Sequence, residues 1–189
     1  PNHWAIIQSL KHIKKNQIEG ELVECGVYKG GNLILFKKII DQIELYKKIF
    51  AYDTFEGMPE PGQFDSDFKN VDANKTFENY KKNNTGWCYS DLNEVKRNIS
   101  KINIEIEKNF SFIKGKVENT LMTEANLPKK ISLLRLDTDF YKSTKVELEV
   151  LFPRLSKGGI LIIDDYGNWK GAKKAVDEFF GDRAFLIYL

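Results

Sequence analysis

The chain predicts an α/β protein, a mostly parallel twisted sheet with helices on both faces. Three observations carry that expectation. Strand-like and helix-like segments alternate five times along the sequence, the order that builds β-α-β units. The runs "KISLLRL" and "GGILII" are apolar without alternation, as strands covered on both faces are. The strand-like runs also end in glycines and acids, as expected where ligands bind beyond the carboxyl ends of a parallel sheet.

Taken in order, residues 4–13, "WAIIQSLKHI", place Trp4, Ile7, Leu10 and Ile13 on one helical face. "GELVECG" reads as a buried strand closed by Gly26, with Cys25 a small buried thiol inside it. "GGNLILFKKIIDQIELYKK" reads as a long amphipathic helix whose inner face is Leu33, Phe36, Ile40 and Ile43. "KIFAYD" is a second strand ending at Asp53. From Glu56 to about Tyr89 the periodicity breaks, and "EGMPEPGQFDSDFKNVDANKTF" alone holds two prolines and two glycines. A surface excursion with short helical turns is expected there, and loops of that length commonly serve as lids. Phe55 and Glu56 would begin the lid. "SDLNEVKRNISK" restarts a helix with Ser90 as its N-cap. "FSFIKG" and "KISLLRLD" are the third and fourth strands, and "TKVELEVLFPRL" is a helix in which Thr144 and Glu147 have capping-box spacing. "GGILIIDD" is a fifth strand, "KGAKKAVDEFF" a helix, and "AFLIYL" begins a sixth strand.

At 189 residues the chain fits one domain, residues 1–189. The 29 basic and 27 acidic residues nearly balance, so nothing demands nucleic acid or an anionic membrane as partner. Two cysteines make no disulfide framework. No apolar run approaches the ~20 residues of a membrane span, and no signal peptide precedes the first helix. A cytoplasmic protein is expected. The abrupt ends are those expected of a piece of a longer chain.

The polar strand ends are the strongest signal. Strand one ends in Glu24, Gly26 and Tyr28, followed by Gly30 and Gly31; strand two in Asp53; strand three in Gly115 and Lys116. Strand four ends in Asp137 and Asp139, and strand five in Asp164 and Asp165. "ECGVYKGG" is a glycine-rich strand-to-helix turn but lacks GxGxxG spacing, so it is no dinucleotide fingerprint. Asp53 stands where an acid after strand two accepts ribose hydroxyls, although an aspartate there also serves as a plain turn or cap residue. Asp137, Asp164 and Asp165 end two strands expected to be neighbours. Three adjacent carboxylates repel one another unless a cation intervenes, and Mg²⁺ takes carboxylate oxygens in octahedral geometry. Helix capping is the bland alternative for each aspartate singly. His3 and His12 are the only histidines, too few for a histidine zinc site. A general base is then a carboxylate or a lysine, and Asp139 is the best placed. "DTD" after an apolar strand also suits a metal-dependent glycosyltransferase or an aspartyl-phosphate hydrolase, but neither explains "ECGVYKGG" or Asp53.

The runs "GELVECGVYKGG", "AYDTFEGMP", "LLRLDTDFYKST" and "LSKGGILIIDDYG" followed by "AVDEF" span about residues 20–180 in order. Together they resemble the macrocin O-methyltransferase family, S-adenosylmethionine- and metal-dependent enzymes that methylate sugar hydroxyls. The resemblance implies a Rossmann-like class I methyltransferase sheet and a small-molecule or glycan acceptor, in a protein that can form a homo-oligomer. It implies that Glu24, Gly26, Tyr28 and Gly30 follow the methionine part of the cofactor. Asp53 would hold the ribose, Gly115 and Lys116 would flank the adenine, and Asp137 would border the same site. Asp137, Asp164 and Asp165 would be the Mg²⁺ ligands and Asp139 the general base. A cofactor-binding relative without catalysis is the remaining alternative. Trp87, Tyr89 and Trp169 are candidates to cover a sugar ring. The sheet of such enzymes closes with two strands after the last helix, so the C-terminal edge strand is expected to be missing here. Residues 62–89 follow no family pattern.

Overall fold

The structure, a computed structural model, describes residues 2–83, 85–102 and 105–181. The elements run α1 (Asn2–Lys15), β1 (Glu21–Cys25), α2 (Gly31–Gln42), β2 (Ile49–Asp53), α3 (Ala73–Lys82), α4 (Leu92–Ser100) and α5 (Ile106–Asn109). They continue with β3 (Phe110–Lys114), α6 (Val117–Thr120), β4 (Ile131–Leu136), α7 (Tyr141–Leu151), β5 (Leu155–Ile163) and α8 (Lys170–Phe180). The sheet order is β3-β2-β1-β4-β5, and every pairing is parallel. Chain direction across the sheet reverses between β1 and β4, the switch point at which such sheets open a crevice.

Each face of the sheet carries its own core. On one side Ile6 and Leu10 of α1, Leu33 and Phe36 of α2, and Val95 and Ile99 of α4 pack together. On the other, Val117 and Leu121 join Leu148 and Leu151 of α7 and Val176 of α8. β4 lies between them with all six residues buried, which explains its unbroken apolar run. No helix among the described residues is long and apolar enough to cross a membrane. "AFLIYL" lies outside the described residues.

Several local expectations are corrected. The buried stripe of α1 is Ile6, Leu10 and Ile13, while Trp4 is 60% exposed, because Trp4 stands about 200° around the helix from Ile6. The helix expected to run through residue 48 stops at Gln42. There Glu44 takes φ 52°, its N–H donates to Asp41 O, and Leu45 N–H donates to Ile40 O. That is a Schellman closure, hidden from the sequence because a glutamate fills the position glycine usually marks. Asp91, not Ser90, caps α4 by accepting from Glu94 N–H at 2.8 Å, while the Ser90 hydroxyl donates to Glu94 Oε2. Thr144 and Glu147 form no capping box. Helix α7 begins three residues earlier at Tyr141 and buries both. It also ends at Leu151, a 3₁₀ turn follows over Phe152–Arg154, and β5 starts at Leu155.

The segment after β2 is an ordered excursion that includes the ten-residue α3, capped by Asp72. Its ends meet where Met58 N–H donates to Trp87 O at 2.8 Å. Buried Asp65 fixes its middle, accepting from Tyr141 N–H at 2.8 Å and Gly62 N–H at 2.7 Å. Phe55 is 1% exposed and packs edge-on against Phe112, so it anchors the start of the excursion.

Candidate active site

Backbone hydrogen bonds extend the parallel ladder one step past each strand end and thereby fix the rim. Gly26 N–H donates to Tyr52 O, Asp137 N–H to Cys25 O, Asp164 N–H to Leu136 O and Gly115 N–H to Asp53 O, all at 2.9–3.0 Å. These bonds fix the backbone from which Asp137 and Asp164 project at the carboxyl edge. Above the edge lies a cavity of about 250 Å³, with Met58 and Pro59 of the excursion among its walls.

Of the residues expected at a cofactor, Gly26, Tyr28, Asp53, Gly115, Lys116 and Asp137 line this cavity, as does Asp139. Glu24 and Gly30 stand behind the lining. Gly30 has φ 81° and opens α2, with α4 so close that an added Cβ would meet Val95 Cγ1 at 3.1 Å. Gly26 is more constrained: at φ +84° an added Cβ would come within 1.9 Å of Asp137 O. Gly26→Ala is therefore expected to cost about 1–3 kcal/mol in denaturant unfolding. The added methyl would force β1 and β4 apart at the rim.

Asp53 reaches across from β2. Its Oδ2 accepts from Val27 N–H at 2.6 Å and Tyr28 N–H at 3.0 Å, and its Oδ1 accepts from Phe55 N–H at 2.7 Å. The carboxylate thus shapes two rim loops while it faces the cavity, combining the turn role and the lining position.

Carboxylate oxygens of Asp137, Asp164 and Asp165 lie within 4.8 Å of one another. Octahedral ligands at about 2.1 Å from Mg²⁺ stand about 3–4 Å apart, so the hard-oxygen set fits that ion with modest side-chain rotation. Burial raises the protonation range of Asp137 and of Asp165, and the neighbouring aspartates add to both. Asp139 is raised too, first by burial. Its backbone is left-handed at φ 66°, and its N–H donates to Asp165 Oδ2 at 3.1 Å.

The sequence reading missed Arg135. Its guanidinium, on a side chain 3% exposed, contacts Glu24 Oε1 at 2.8 Å, Asp137 Oδ2 at 2.8 Å and Asp164 Oδ2 at 3.2 Å. Glu24 also accepts from Asn32 Nδ2 at 3.0 Å, and burial above all raises its pKa to about 7. An arginine inside "LLRLD" was the available signal, since a buried guanidinium requires anionic partners.

Thr138 and Glu147 were also unassigned as a pair. Thr138 Oγ1 donates to Glu147 Oε2 at 3.1 Å. Glu147 is fully buried, and burial raises its pKa from 4.5 to about 8. The folded state therefore holds the proton more tightly than the unfolded chain. The stability this contributes is complete below about pH 4.5 and is lost as pH rises to about 8. Urea unfolding across that window should show falling stability, and Glu147→Gln should flatten the slope.

The aromatic residues divide. Trp87 and Trp169 meet with centroids 5.9 Å apart, Phe140 joins both, and Tyr80 stacks on Trp87. Tyr89 stays outside this cluster among the described ring contacts and is 49% exposed.

The sequence profile of the macrocin-O-methyltransferase (TylF) family matches residues 5–185. An 8-demethyl-8-(2,3-dimethoxy-alpha-L-rhamnosyl)-tetracenomycin-C 4'-O-methyltransferase from Streptomyces olivaceus is 33% identical over 79% of this chain and 54% of its own. A demethyldecarbamoylnovobiocin O-methyltransferase from Streptomyces niveus is 29% identical over 92% of this chain and 63% of its own. The chain thus spans a little over half the length of the curated relatives it matches. The solved structure of the O-methyltransferase NovP superposes with a TM-score of 0.79 at 29% identity, covering 94% of this chain and 70% of that one. A calicheamicin methyltransferase, CalS11, shares the fold at a TM-score of 0.78 and 21% identity, covering all of this chain and 74% of that one. The sheet is that of the class I methyltransferases, and the chain belongs to the macrocin-O-methyltransferase family.

Proposed function

We propose that the protein transfers a methyl group from S-adenosylmethionine to a sugar hydroxyl of a glycoside, glycan or antibiotic precursor, with Mg²⁺ as the bound ion. The observation that carries this reading is the meeting of two residue groups at one cavity. Gly26, Asp53, Gly115 and Lys116 line it, and the cluster of Asp137, Asp164 and Asp165 adjoins it through Asp137. The relatives' names add weight, one of them specifying the 4' position of a rhamnosyl-bearing compound.

Asp137, Asp164 and Asp165 would hold the ion. When bound, Mg²⁺ would lower the pKa of the acceptor hydroxyl and orient it. Asp139 would take the hydroxyl proton as the methyl group moves in line from sulfur to oxygen. Asp53 would hold the ribose, and Tyr28 with the Gly26 turn would flank the methionine part. Trp87 and Trp169 would offer apolar faces to the sugar ring. The glycosyltransferase and hydrolase alternatives leave the family match unexplained.

The test is transfer of labelled methyl from S-adenosylmethionine to a panel of rhamnosides and other deoxysugar glycosides, with Mg²⁺ or with EDTA. Labelled glycoside that disappears with EDTA supports the reading. Cofactor binding indifferent to Mg²⁺, with no labelled product from any sugar, would favour a non-catalytic cofactor binder.

A further inference from the structure

Glu147 is a buried carboxyl with no part in the chemistry above. It lies on the inner face of α7 with no exposed surface. Oε2 accepts from Thr138 Oγ1, and Oε1 has no hydrogen-bond partner. A buried carboxyl with one orphan oxygen stabilises a fold poorly, because its desolvation is only partly offset. An apolar side chain of similar size would pack α7 against the sheet at least as well.

What Glu147 does hold is the turn between Asp137 and Asp139. Thr138 is the middle residue of that turn, and both its hydroxyl and its carbonyl are used. Its hydroxyl goes to Glu147, and its carbonyl accepts from Phe140 N–H at 2.7 Å and from Ser143 Oγ at 3.3 Å. The next residue, Asp139, sits at a positive φ, which a free turn would not prefer. Rotation of Thr138 would swing Asp137 and Asp139 together.

We propose that Glu147, acting through the Thr138 hydroxyl, is a positioning residue that sets the orientation of the Asp137–Asp139 turn. The proposal rests on the reading of Asp137 as an ion ligand given above. Partners one step behind a ligand typically change metal affinity 10–100-fold when removed.

The test is Mn²⁺ titration, followed by the electron paramagnetic resonance signal of free Mn²⁺, on S-adenosylhomocysteine-loaded protein. Glu147→Gln keeps an acceptor for Thr138 and is expected to bind Mn²⁺ within about twofold of wild type. Glu147→Leu and Thr138→Val are each expected to weaken Mn²⁺ about 10-fold or more, with a clearly smaller loss of S-adenosylhomocysteine affinity. The double variant is expected to lose no more than the worse single one, because both act through one contact. Thr138→Val is nearly isosteric and carries the test should Glu147→Leu fold poorly. Unchanged Mn²⁺ affinity in the folded variants, additive losses, or equal losses of Mn²⁺ and S-adenosylhomocysteine would overturn the proposal alone. Absence of Mn²⁺ binding by the wild type would remove the ligand role of Asp137, and the positioning role with it.

Discussion

Asp139→Asn is expected to slow methyl transfer by ~10²–10⁴-fold while S-adenosylhomocysteine and Mg²⁺ affinities stay within about twofold. The amide keeps the shape of the side chain but cannot take a proton. The backbone bond from Asp139 N–H to Asp165 Oδ2 survives the change, so the turn and the neighbouring carboxylates keep their places. Asp139 is suited to the role because burial raises its pKa and because it lines the cavity. The loss should fall on kcat, measured with any acceptor that the glycoside panel identifies, and full activity would reject the assignment. Loss of cofactor binding together with activity would instead make Asp139 part of the architecture of the rim.

The largest effect on stability is expected from Arg135. Removing one partner of a buried ion pair leaves its counterparts uncompensated, at a cost of about 3–5 kcal/mol. Arg135 has three carboxylate partners on side chains that are 1%, 29% and 22% exposed. Arg135→Met should therefore lose about that much in urea unfolding with EDTA present. For a chain of this size that corresponds to a melting temperature roughly 6–20 °C lower. Mg²⁺ should restore part of the loss in the variant, because an ion held by Asp137, Asp164 and Asp165 would supply positive charge to two of the three partners that the guanidinium no longer neutralises. A variant as stable as wild type in EDTA would show that the three carboxylates need no resident cation.

The fold was largely legible because its signals are local. Continuous apolar runs marked β4 and β5, and glycine and aspartate marked the strand ends. The order of the runs forced parallel pairing, which brought Asp137 beside Asp164 and Asp165. Errors arose where one element's choice depends on another. Trp4 fits a helical stripe in isolation, but the sheet takes Ile6, Leu10 and Ile13 instead. The Thr144 and Glu147 spacing suggested a helix start, yet the chain had already entered α7 because Asp65, far away in sequence, accepts from Tyr141 N–H. Glu24 reads from its motif as a residue beside the cofactor, and the structure adds Arg135 and Asn32 as its partners. Arg135 was overlooked, and Glu147 was given the wrong partner, for the same reason. A charged residue in an apolar element announces that it has partners but not which ones.

The account depends most on a divalent ion sharing the rim with the methyl donor. Crystals of the protein with S-adenosylhomocysteine and Mn²⁺, measured at the manganese edge, test this directly. The account predicts one anomalous peak bounded by Asp137, Asp164 and Asp165, with the cofactor's sulfur facing it from the cavity lined by Gly26 and Asp53. An S-adenosylhomocysteine-filled cavity with no manganese among those three aspartates, or with the ion bound elsewhere, would contradict it.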